Sequence, residues 1–203
     1  MVEELLLFFL IPPHYNNNEC QEATTRRLPD LKERHLPENC RETINTILKE
    51  TYGYEQFRNL EIYDDLSKGK EKLCISQGQL IENVILEAEK AWKGETQVDN
   101  ILLTAPTGSG KSLLFQLPAI YLGKEYNLLT IVVSPLKALI VDQVESLQEL
   151  GYMRVAYASS DLSPEQKMEV YRQVREGEID LFYLSPELLL SYDIKHFVGE
   201  RRI

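Results

Sequence analysis

Over residues 101–203, short unbroken apolar runs alternate with stretches in which apolar residues recur every three or four positions. Ile101 to Thr104 and Thr130 to Val133 are runs of the first kind, rich in β-branched residues, and read as buried strands. Between them a helix is expected from Lys111, carrying Leu113, Leu114 and Leu117. A second helix, from about Pro135 to Leu150, sets Leu136, Leu139, Ile140, Val144 and Leu147 on one face and stops at Gly151. The plan then repeats. Arg154 to Ala158 is a strand, and Ser163, Pro164 and Gln166 form a capping box for a helix ending near Gly177. Asp180 to Leu184 is a further strand, followed by Pro186 and a last helix. Strands separated by helices pair in parallel, because each helix is the crossover that returns the chain to the same edge. The expected class is therefore α/β with a parallel sheet.

The first hundred residues are less regular. Leu5 to Ile11 is an apolar run, read as a buried strand or a helix turn. Glu3 and Glu4 precede it without Lys or Arg, unlike a signal peptide, and it is far too short to span a bilayer. Residues 12–41 mix Pro, Asn and charges and read as loop or linker. Ile44, Ile47 and Leu48, with Asn39 as a cap and Gly53 as a stop, give a short helix. Leu80, Val84, Ile85 and Ala88 share a face of a second helix, Gln79 to Trp92. Residues 1–50 are thus expected to form a mainly helical and irregular extension.

Composition narrows the class. With 43% hydrophobic and 27% charged residues the chain is globular in character. Cys20, Cys40 and Cys74 are too few and too scattered for a disulfide framework or a paired metal site, and His14, His35 and His196 are scattered too. Reduced thiols and a cytoplasmic location are the expectation, with no membrane partner. The net charge of −10 weighs against a broadly basic nucleic-acid surface. Residues 1–100 carry 12 Lys and Arg against 19 Asp and Glu, whereas residues 101–203 carry 10 against 13. Charges beyond about 8 Å are largely screened at physiological salt, so a local groove can still hold a backbone.

The junction Ala105-Pro106-Thr107-Gly108-Ser109-Gly110-Lys111-Ser112 fits a P-loop at every position but the first, where Ala stands for Gly. Gly108 and Gly110 let the backbone wrap closely, so that N–H groups from Thr107 to Ser112 and the start of the helix face a phosphate. Lys111 supplies a charge to the β- and γ-phosphates and Ser112 a hydroxyl for Mg²⁺. These two are the candidate catalytic residues, and ATP with Mg²⁺ is the expected cofactor. A P-loop alone does not separate kinases, GTPases and motors.

Ala105 to Ser112, continuing as Leu113-Leu114-Phe115-Gln116-Leu117-Pro118-Ala119, resembles motif I of superfamily-two helicases, and in particular of the RecQ family. Ser134-Pro135-Leu136 leading to Asp142-Gln143-Val144 is similar to that family's motif Ia. Ser159 to Ser163 and Tyr183 to Leu189 resemble two further segments, in order, and Tyr52-Gly53-Tyr54-Glu55-Gln56-Phe57-Arg58 resembles the opening of its adenine-recognition motif. The resemblance covers residues 51–203 and implies the first RecA-like lobe of an ATP-dependent DNA helicase, with DNA and a second RecA-like lobe as partners. It further implies that Ser134, Leu136, Ser185 and Glu187 face a nucleic-acid strand. In the family the Phe-Arg pair runs into Pro-Gly-Gln, whereas here residues 59–77 separate Arg58 from Gly78-Gln79. Gln79 is taken as the adenine ligand, with Gln77 and Gln56 as alternatives. No Asp-Glu pair follows an apolar strand within the 203 residues, and Pro186 stands where the metal-binding Asp would sit. The parallel sheet is accordingly expected to be incomplete, the lobe truncated before its acidic motif, and the isolated polypeptide to hydrolyse little ATP. The readings set against a DNA helicase are an inactive nucleotide- or DNA-binding fragment and another superfamily-two translocase, such as an RNA helicase.

Overall fold

A computed structural model of the chain describes residues 4–8, 34–63, 72–98, 100–105, 108–192, 194–199 and 203. The chain divides into two units, Met1–Lys49 with Tyr54–Pro118 and Glu50–Gly53 with Ala119–Ile203.

In the first unit the N-terminal apolar run supplies strand β1 (Glu4–Phe8). It pairs antiparallel with β4 (Ile101–Ala105), Glu4 opposite Ala105 and Phe8 opposite Ile101. The strand that feeds the P-loop therefore has an antiparallel neighbour, which alternation alone does not anticipate. Helix α1 (Glu38–Tyr52) buries Ile44, Ile47 and Leu48, with Glu38 in its first turn and Lys49 in its last, each charge complementing the helix dipole. Gly53, at φ 69°, follows it in the left-handed conformation that suits glycine at a helix end.

Helix α2 (Gln77–Trp92) begins two residues before the periodicity suggested, because Ser76 caps it: the Ser76 hydroxyl accepts from the Gly78 N–H at 3.2 Å. Arg34 pairs with the buried Glu87 at 2.6 Å and the Leu36 N–H donates to Glu82 at 3.0 Å, which fastens residues 34–37 along α2. Within residues 59–77, the segment that separates Arg58 from Gly78, β2 (Asn59–Tyr63) pairs antiparallel with β3 (Lys72–Ser76).

The second unit holds the parallel sheet, β5 (Thr130–Val133), β6 (Val155–Ala158) and β7 (Leu181–Leu184), in the order β5-β7-β6. All four residues of the central strand β7 are buried, as expected of a parallel strand covered on both faces. Helices α4 (Lys137–Glu149) and α5 (Pro164–Arg175) are the crossovers, and helix α3 (Lys111–Tyr126) precedes them. The Ser163 capping box forms as expected: its hydroxyl accepts from Gln166 N–H at 3.2 Å and its own N–H donates to Gln166 Oε1 at 2.8 Å. Helix α4 starts at Lys137, not Pro135, because Ser134 turns the chain first, its hydroxyl accepting from the Leu136 N–H at 3.4 Å. The last helix is two short ones, α6 (Pro186–Ser191) and α7 (Ile194–Val198). Phe197 packs edge-on to Tyr171 in the core beside Phe182.

At the amino end of β7, Asp180 is 2% exposed and holds Arg154 through two contacts, Nε at 2.6 Å and Nη2 at 2.8 Å, while the Tyr152 hydroxyl donates to it at 2.9 Å. Burial first, then the Asp180 charge, holds the Tyr152 phenol protonated far above its ordinary range. Gly123 of α3 lies against this carboxylate: a methyl group there would sit 2.4 Å from Asp180 Cγ. Ala is the better helix former by about 1 kcal/mol, yet overpacking costs about 1–3 kcal/mol. Gly123→Ala is therefore expected to lower the melting temperature; an unchanged or higher value in a thermal melt would contradict this packing.

Candidate nucleotide and nucleic-acid sites

The expected P-loop residues Gly108 to Ser112 lie in the first unit; Pro106 and Thr107 are outside the described residues. Gly108 and Gly110 adopt φ 83° and 79°, conformations that an L side chain resists. Gly110 is doubly constrained, since a Cβ there would meet the Gln77 amide nitrogen at 2.7 Å. Lys111, 7% exposed, opens α3, and Ser112 beside it is half-buried. The first turn of α3 contains no acidic residue, so nothing on it opposes an anion at the positive end of the helix. The Ser109 hydroxyl is buried and has no hydrogen-bond partner among the described residues. An unsatisfied donor and an uncontested helix terminus fit a phosphate group, because both gain partners from its oxygens.

Of the three glutamines weighed for adenine, Gln77 lies against the described P-loop residues. It is 2% exposed, and its amide nitrogen faces the carbonyls of Ser109 and Gly110 at 3.4 and 3.5 Å, long contacts that are easily exchanged. The Gln77 side-chain Oε1 accepts from the Arg58 backbone N–H at 3.1 Å, and the Gln77 backbone N–H donates to the Arg58 carbonyl at 2.9 Å. These two bonds lie next to the β2–β3 pair, so the insertion leaves Arg58 and Gln77 adjacent. Phe57 seals the same corner: a Cβ on Gly78 would lie 2.6 Å from its ring. Gln79, two residues further along α2, is half-buried, and Gln56 is exposed.

The residues expected to face nucleic acid lie in the second unit, at the carboxyl ends of the parallel strands. Ser134 follows β5 and donates its N–H to the Leu184 carbonyl at 3.0 Å, and Ser185, buried, follows β7. Leu136 is 60% exposed, so it is not core, whereas Leu139 is half-buried. Glu187 is exposed; its own backbone N–H first, then the Ser185 hydroxyl and the charge of Lys137, hold its carboxyl below the usual range. Lys137, which sequence reasoning did not single out, joins this edge by donating to Ser160 at 2.6 Å and Asp161 at 2.9 Å. In open α/β sheets, ligands bind outside the carboxyl ends of the strands.

Residues 79–201 match the family described as DEAD/DEAH box helicase. The chain belongs to that helicase family. Among curated relatives it is 32% identical over 163 residues to the ATP-dependent DNA helicase RecQ of Synechocystis sp., an alignment covering 80% of this chain and 27% of the relative. It is 30% identical over 161 residues to the RecQ helicase of Haemophilus influenzae, covering 79% and 21%. It is 32% identical over 152 residues to the ATP-dependent DNA helicase Q-like 5 of Arabidopsis thaliana, covering 75% and 13%. The helicase-family chain thus spans about a quarter or less of the length of these relatives. The parallel sheet agrees with the RecA-like lobe that the motifs implied.

Proposed function

We propose that this chain is the ATP-binding lobe of a RecQ-like DNA helicase, in which nucleotide binds at Gly108 to Ser112 and single-stranded DNA follows the carboxyl edge of the β5-β7-β6 sheet. The observation that carries the reading is the P-loop corner: two left-handed glycines, a buried Lys111 at a helix terminus without acidic residues, and a glutamine amide against the loop carbonyls. There the backbone N–H groups and Lys111 would hold the β- and γ-phosphates, and Ser112 would ligate Mg²⁺. Bound Mg²⁺ neutralises charge that develops on the phosphates during transfer. Residues Ser134, Leu136, Ser185 and Glu187 would line the strand; hydroxyl and backbone contacts of this kind position a phosphate chain without reading its sequence.

An amide can donate and accept at once, which suits the adenine edge and not the guanine one. The position of Gln77 against the P-loop supports it over Gln79 as that reader. Gln77→Ala is expected to reduce the preference for ATP over GTP about 3- to 10-fold, the worth of one uncharged hydrogen bond, with Gln79→Ala near wild type. Competition binding with the two nucleotides is the check. A loss of preference in Gln79→Ala alone would return the role to Gln79, and loss in neither would remove an amide reader altogether.

A further inference from the structure

Strands β5 and β6 flank β7, and the chain leaving β5 is tied to the chain leaving β6 by one cation. The Lys137 ammonium donates to the Ser160 hydroxyl at 2.6 Å and to Asp161 Oδ1 at 2.9 Å, and Ser160 donates to the same carboxylate oxygen at 3.3 Å. The Lys137 and Asp161 side chains are 45% and 68% exposed. The tie reaches from one side of β7 to the other, and the Lys137 charge is felt by Glu187 just past the end of that strand. Hydrogen bonding from Lys137 holds the Asp161 carboxyl below its usual range, with Lys167 of α5 adding its charge.

The geometry points to Lys137 as a phosphate contact of the strand-binding edge, with Asp161 as its built-in competitor, so that an incoming phosphodiester displaces the Asp161 carboxylate from the ammonium. The inference rests on the reading of this edge as the DNA-facing one. Three features carry it. Lys is a compact point charge on a flexible stem, suited to a phosphate oxygen and able to move between partners. Exposed ion pairs are weak, so this one can be exchanged for a phosphate at little loss. An acidic chain that keeps its cation paired with an internal carboxylate also makes the surface less attractive to anions that cannot displace that carboxylate, which is selection by competition.

The test uses the full 203-residue chain and a fluorescently labelled oligodeoxythymidylate, with affinity read by anisotropy from low to physiological salt. Asp161→Asn is expected to tighten binding by up to about five-fold, the scale of an exposed pair. Lys137→Ala is expected to weaken it and to make the slope of log K against log salt shallower by about 0.7, the value for one contact to a single strand. In the double variant Lys137→Ala with Asp161→Asn, the gain from Asp161→Asn should vanish. An equal gain with and without Lys137 would mean that Asp161 acts only through general repulsion, and would overturn the proposal. An unchanged salt slope in Lys137→Ala would overturn it too, while leaving the DNA-facing reading intact as long as the wild type binds. Failure of both wild type and Asp161→Asn to bind at low salt would remove the reading and the proposal together.

Discussion

Lys111→Ala is expected to weaken binding of Mg·ATP about 10- to 100-fold, since a hydrogen bond to a charged group is worth about 1.5–3 kcal/mol. Lys111 is buried at the start of α3, where solvent screens its charge little. The loss should fall on ATP and ADP and leave the fold in place, so unliganded wild type and variant should melt within a few degrees of each other. Calorimetric titration of the variant is the check. Affinity equal to wild type would show that phosphates do not sit at Gly108 to Ser112.

Arg154→Ala is expected to destabilise the chain by about 3 kcal/mol, which for a chain of this size lowers the melting temperature by roughly 6–12 °C. Removing Arg154 takes two guanidinium contacts from the 2%-exposed Asp180. A buried carboxylate that loses its cation is costly, whereas the exposed side of Arg154 moderates the effect from the value for a wholly buried pair. The cause is separable. If charge is responsible, the double variant Arg154→Ala with Asp180→Asn should recover part of the loss, because a neutral amide is cheaper to bury. A double variant no more stable than Arg154→Ala alone would mean that lost packing of the arginine stem is the larger cause. This ion pair also gives Asp180 a structural role at the amino end of β7, away from the carboxyl edge that carries Ser185.

Much of the second unit was legible because its signals are local. The β-branched run marks strand β5 to the residue, and three residues within one turn mark the Ser163 cap. The edges of α4 were less so: Ser134 and Leu136 form a turn through a hydroxyl contact, and periodicity does not report such a contact. Strand β2 carries a local signal too. Leu60 and Ile62 alternate with the polar Asn59 and Glu61 at the period of a strand. In α2 the apolar residues Leu80, Ile81, Val84 and Ile85 stand three, four, seven and eight places after Gln77, the spacing of a helix that starts there. The two contacts that matter most for the sites were not readable from spacing. Gln77 meets Ser109 from 32 residues away, and Lys137 meets Asp161 from 24, and each pairing depends on strand order and register. Antiparallel pairing of β1 with β4 is illegible for the same reason, since nothing in either run names its partner.

The most direct test of the central claim is a calorimetric titration of the 203-residue chain with ATP in the presence of Mg²⁺, repeated with ADP as competitor. A single saturable site that ADP displaces, and that weakens when Mg²⁺ is withheld, is the predicted result. The absence of saturable binding by a chain that melts cooperatively would contradict it.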